Sequence, residues 1–90
     1  MVTLDEAKVY LRVDYDDEDD MIESLVASAE KLCQDIARLT DEAFEAEDTR
    51  VRIAVLYAVA YLYEHREEPD MHDLTLMLRA ILFGVREARF

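Results

Sequence analysis

The chain has 90 residues, of which 52% are hydrophobic, with one glycine, one proline and a formal net charge of −12. A chain this short is one domain, 1–90, and its turn-formers are too few for an all-β fold, which needs a turn every ~8–12 residues. The acidic balance repels phosphate at long range and argues against a direct grip on DNA or RNA.

Strong helix formers dominate, so the fold class is all-α. Domains of this size bury a modest share of their surface, and oligomerisation is a common remedy. Cys33 is the single cysteine, so no disulfide within the chain is possible. The N-terminal stretch has no basic segment followed by a long apolar one, so synthesis in the cytoplasm is expected.

Thr3-Leu4-Asp5-Glu6 reads as a capping box that opens a first helix over about Leu4 to Leu11. Val13 and Tyr15 then alternate with charges and read as a short extended link. In the acidic run that follows, Asp16 or Asp17 is expected to cap a second helix from about Glu18 to Leu39. Met21, Ile22, Leu25, Val26, Ala29, Leu32, Cys33 and Ile36 recur at three- and four-residue steps and form an amphipathic stripe. Thr40 reads as a cap, Asp41 to Glu45 as about one helical turn, and Phe44 as a plug beneath the bend.

Asp48 or Thr49 is expected to cap a long third helix that reaches about Glu67. Its stretch from Ile53 to Tyr63 is apolar without a break and has no polar face. A bilayer span needs about 20 such residues, so this run is too short to cross a membrane. It is expected to be a central helix, covered by its own chain on one side and by another subunit on the other. Pro69 forces a break. A fourth helix is expected over about Asp73 to Phe83, with Gly84 as a left-handed C′ residue and a tail from Val85 to Phe90.

No catalytic constellation is present. His65 and His72 flank Pro69, but they lack the further ligands and supporting shell of a metal site. The run from Asp14 to Asp20 lacks the glycine and the spaced glutamate of a calcium loop. Cys33 falls on the apolar stripe and reads as a small core residue. Tyr57, Tyr61 and Tyr63 read as core or interface, with hydroxyls that need partners or solvent. No enzyme activity, cofactor or metal is expected.

The order of motifs carries a resemblance. The opening Val2-Thr3-Leu4-Asp5-Glu6-Ala7-Lys8-Val9-Tyr10-Leu11-Arg12-Val13-Asp14 resembles that of the small head–tail connector proteins of tailed phages. The stretch from Asp17 to Leu25 resembles their next element. The run from Arg52 to Glu67, closing on Tyr63-Glu64-His65-Arg66-Glu67, resembles their third. The region from Leu78 to Arg86 resembles their closing helix. The chain departs from the pattern in the turn Ala37-Arg38-Leu39-Thr40, which usually carries a glycine, and in a tail that runs past the usual closing arginine.

The resemblance implies a ring of about twelve copies in the virion, because the portal is twelvefold; such a ring is a head-to-tail assembly in which two different faces meet. The ring would sit beneath the portal, extend the DNA channel, and give the tail or a stopper protein its docking surface. DNA would pass without specific binding. Candidate residues for contacts with neighbours or portal are Tyr57, Tyr61, Tyr63, Arg66, Met77, Phe83, Arg86 and Phe90. Two other classes fit the composition: an acidic decoy that mimics DNA, and a small helical adaptor that forms no ring.

Overall fold

The computed structural model describes residues 2–46 and 49–87, without the side chains of 84–87. Within them the chain is all-α: α1 (Leu4–Leu11), α2 (Asp19–Ala37), α3 (Asp41–Glu45), α4 (Thr49–Glu64) and α5 (Met71–Glu87). The single turn expected at Asp41–Glu45 is thus a fifth, short helix. Caps proposed at Asp48 fall outside the described residues.

Local chemistry sets most boundaries. The Thr3 hydroxyl accepts from the Glu6 amide, and the Glu6 carboxylate accepts from the Thr3 amide, so the capping box is complete. The Thr40 hydroxyl accepts from the Ala43 amide and starts α3. Phe44 is buried beneath it. Gln34 ties the bend together, donating to the Leu39 carbonyl at 3.2 Å and to Asp41 Oδ1 at 2.6 Å.

Two helices end in left-handed residues that are not glycine. Arg12 has φ 61° and Arg38 has φ 57°. At each, the next residue's amide reaches back to close the last turn: Val13 to the Lys8 carbonyl, and Leu39 to the Gln34 carbonyl. Arg38 therefore adopts the conformation that glycine would take most readily in that turn.

Several expectations are corrected. Neither Asp16 nor Asp17 caps α2; Glu18 stands at that position and makes no side-chain cap bond. Asp16 is drawn instead to Lys8. The fourth expected helix begins two residues early, at Met71, because the Asp70 carboxylate accepts from the Asp73 amide and caps it. It also runs on through Gly84 to Glu87, and no glycine among the described residues has positive φ. Glycine permits a left-handed end but does not compel one. Inside a helix it costs only about 1 kcal/mol relative to alanine, and the residues after it continue the turn.

The core is one cluster. Ile22, Val26, Ala29 and Cys33 of α2 meet Val51, Val55, Ala58 and Val59 of α4 and Leu74, Leu78 and Leu82 of α5. Each large aliphatic side chain so buried contributes about 1.5–3 kcal/mol. α4 packs against α1, α2 and α5. Burial pushes the Cys33 thiol up to about 12, which keeps it neutral and inert within the core.

Candidate assembly surface

Three features give the surface its character: a polar joint at one end of α4, a buttress under the α1–α2 link, and apolar faces left open to solvent.

The polar joint is centred on Glu18. Its carboxylate accepts from the Tyr63 hydroxyl at 2.6 Å and the Tyr15 hydroxyl at 3.1 Å, and it pairs with the Arg66 guanidinium at 2.8 Å. These donors, Tyr63 first, favour the ionised form and hold Glu18 below the usual carboxylate range. The same bond to Glu18 raises the Tyr63 phenol. Arg66 also donates to the Met21 sulfur at 3.4 Å, and its Cζ lies 4.8 Å from the Tyr63 ring centroid.

Tyr61 organises the adjoining turn. Its hydroxyl accepts from the Asp70 amide at 3.0 Å and donates to the Asp70 carbonyl at 3.3 Å. His65 stacks on the Tyr61 ring with centroids 4.2 Å apart, and its Nδ1 lies 2.9 Å from the Tyr61 carbonyl. Glu18, Tyr63 and Arg66 thus tie the start of α2 to the end of α4, and Tyr61 holds the turn that leads into α5. The tyrosines and Arg66 were legible as candidates. Glu18 as their hub was not, since it lies 45 residues from Tyr63 and 48 from Arg66 in the chain.

The second feature is Lys8, which reaches Asp16 Oδ1 at 2.8 Å and Asp19 Oδ1 at 2.7 Å. Bonds to these two carboxylates raise its pKa and hold Asp16 below its usual range. Part of the acidic run is therefore pinned to α1. Glu6 pairs with Arg52 of α4, and Glu30 accepts from the Val2 amide at 3.0 Å. Among the described residues, no group of three or more His, Cys, Asp or Glu could hold a metal ion, and no helix is long and apolar enough to cross a membrane.

The third feature is apolar exposure. The helical period puts Ile53, Leu56, Tyr57 and Ala60 on one side of α4, opposite its buried stripe. Ile53 is 53% exposed and the other three are half-buried. Beside Leu56, the α1 residues Asp5, Glu6, Val9 and Tyr10 complete a shallow cleft of about 440 Å³. Val9 is 79% exposed. On α5, Leu76, Ala80 and Phe83 form an outward ridge at four- and three-residue steps, with Phe83 63% exposed and Met77 on its flank. Of the candidate contact residues, Met77 and Phe83 lie at the surface, Tyr57 is half-buried against the core, and Tyr61, Tyr63 and Arg66 bond within the chain. The side chains of Arg86 and Phe90 lie outside the described residues.

Residues 1–87 fit the family model described as phage gp6-like head–tail connector protein. No curated protein and no solved structure matches the chain.

Proposed function

Since the chain belongs to the phage gp6-like head–tail connector family, we propose that it is a ring subunit beneath the portal that extends the DNA channel and docks the tail or a stopper protein. The observation that carries this reading is the open apolar surface on α4 and α5 of a chain with net charge −12. A head-to-tail ring uses two different faces of each subunit and would cover both. Tyr57, Met77, Phe83, Arg86 and Phe90 are proposed contacts with neighbours or portal. Tyr61, Tyr63 and Arg66 shape the α4–α5 turn presented alongside them. The subunit is made in the host cytoplasm and ends in the virion at the head–tail junction.

The charge suits a channel that DNA must traverse. About twelve copies would carry on the order of −144 formal charges, so duplex DNA meets repulsion, not a brake. The same repulsion opposes assembly at low salt, and screening favours the ring while apolar contacts persist. The test mixes the protein with portal-bearing, DNA-filled capsids and images the vertex. A new ring of density below the portal is the expected result. No capsid association, combined with tight binding to a DNA-binding protein, would replace this reading with the decoy.

A further inference from the structure

We propose that the α5 ridge of one copy seats in the α1–α4 cleft of the next, with Arg79 of the ridge facing Asp5 of the cleft. The inference rests on the ring reading and names the surfaces that build it.

Three observations carry it. The first is shape and polarity. The cleft between Val9, Tyr10 and Leu56 is concave and open, and the ridge of Leu76, Ala80 and Phe83 is convex and open. Both expose large apolar side chains that an apolar partner would cover. An aromatic such as Phe83 carries a large apolar surface and favours a partly enclosed site.

The second is position. Arg52 of α4 bonds Glu6 of α1, and Tyr61 of α4 bonds Asp70 at the start of α5. Arg52 and Tyr61 are about two and a half helical turns apart, so they leave α4 on opposite sides. The cleft and the ridge therefore occupy opposite flanks of the same helix. Two complementary faces on opposite flanks make a head-to-tail contact; a two-fold dimer would need one face that complements itself.

The third is charge. The chain is strongly acidic, so copies repel one another unless the contact is apolar or oppositely charged. Arg79 is exposed between Thr75 and Phe83 on the flank of the ridge, and it has no ion-pair partner among the described residues. Asp5 is exposed at the cleft and is likewise unpaired. A basic group on the convex face and an acidic group on the concave face give the contact its direction.

The test has two arms and begins with the wild-type chain, measured by native mass spectrometry across concentration and by imaging of portal-bearing capsids. A wild type that forms no ring in either setting overturns the ring reading and this inference with it. Where it assembles, two variants isolate the surfaces: Leu76→Lys with Phe83→Lys removes the ridge, and Val9→Lys removes the cleft. All three positions are exposed, so circular dichroism should match the wild type. Each variant alone should stay monomeric. An equimolar mixture should give a one-to-one dimer and stop there, because only one intact ridge and one intact cleft remain. Variants that assemble as the wild type does, while the wild type forms its ring, would overturn the surface assignment and leave the ring standing. In the second arm, Arg79→Glu should weaken assembly by about tenfold or more, and adding Asp5→Arg should restore most of the loss. Failure of the double variant to recover would contradict the Arg79–Asp5 facing.

Discussion

α2 and α4 meet in the same core and differ on the side that leaves it. The buried stripe of α2 is backed by Glu23, Ser24, Ser28, Lys31 and Asp35, all exposed and all content in water. α4 buries Val51, Ala54, Val55, Ala58 and Val59, yet its back carries Ile53, Leu56, Tyr57 and Ala60. Stability of the monomer requires only the buried stripe. Leu56 and Tyr57 on that back pack partly against the core, but the apolar area they and Ile53 leave in solvent raises the risk of non-specific association. α2 is thus finished by solvent, whereas α4 keeps an apolar back that the proposed ring would cover.

The largest expected effect breaks the shared part of this comparison. Ala58 is fully buried, so Ala58→Asp places an unpaired charge among aliphatic side chains. The cost is several kcal/mol against a total stability of about 5–15 kcal/mol, and circular dichroism should show an unfolded or barely folded chain. Near-wild-type melting would mean that the α2–α4 core is misplaced.

Next in size is the joint at Glu18, which holds the N-terminal end of α2 to the C-terminal end of α4. Glu18→Gln keeps the shape but loses the charge that Arg66 needs, and the melting temperature at neutral pH should fall. The pH dependence follows from the direction of the shift. Glu18 is held below its ordinary value of 4.5, so its contribution is present above that value and is lost as pH falls through the lower folded one. Glu6 and Asp16 are shifted the same way. The wild type should therefore lose stability more steeply than Glu18→Gln below about pH 4.5. Parallel acid limbs would show that the Glu18 contacts do not distinguish folded from unfolded chain.

A smaller effect sharpens the account of α2. Arg38 holds a left-handed backbone that disfavours a β-carbon, so Arg38→Gly should stabilise the protein by about 0.5–1 kcal/mol in a denaturant titration. A loss of stability would show that the arginine side chain contributes more than its backbone costs. The smallest expected effect is none at all: a chelator should leave the melting temperature unchanged. A drop with EDTA that zinc or calcium reverses would reopen the roles of His65, His72 and the acidic run.

Sequence patterns spoke clearly where the physics is local. The Thr3–Glu6 box, the Thr40 cap and the α2 stripe each depend on residues within one or two turns. They fixed the all-α class and most helix positions. Asp70 as the cap of α5 was also a local signal, readable from its placement after Pro69 and three before Asp73, and the periodicity of the leucines drew the start too late. Gly84 shows the opposite case: its freedom to turn is no instruction to turn, and α5 continues through it. What the chain could not show by spacing was tertiary. Tyr63 and Arg66 were recognisable, but their meeting at Glu18 depends on how α2 and α4 cross. The apolar run from Ile53 to Tyr63 raises the expectation that α4 is covered on more than one side. Which side its own chain leaves bare emerges only from the helix's rotation against α1, α2 and α5.

The contrast between the two helix backs reduces to one paired measurement: molar mass by light scattering, at moderate salt and across concentration, for Ile53→Glu and Ser28→Glu. Both substitutions add one negative charge at an exposed position, on α4 and on α2 respectively. The account predicts that Ser28→Glu assembles as the wild type does, whereas Ile53→Glu stays folded and monomeric. Equal assembly by the two variants, or loss of assembly only in Ser28→Glu, would contradict the claim that the back of α4 is the side another copy covers.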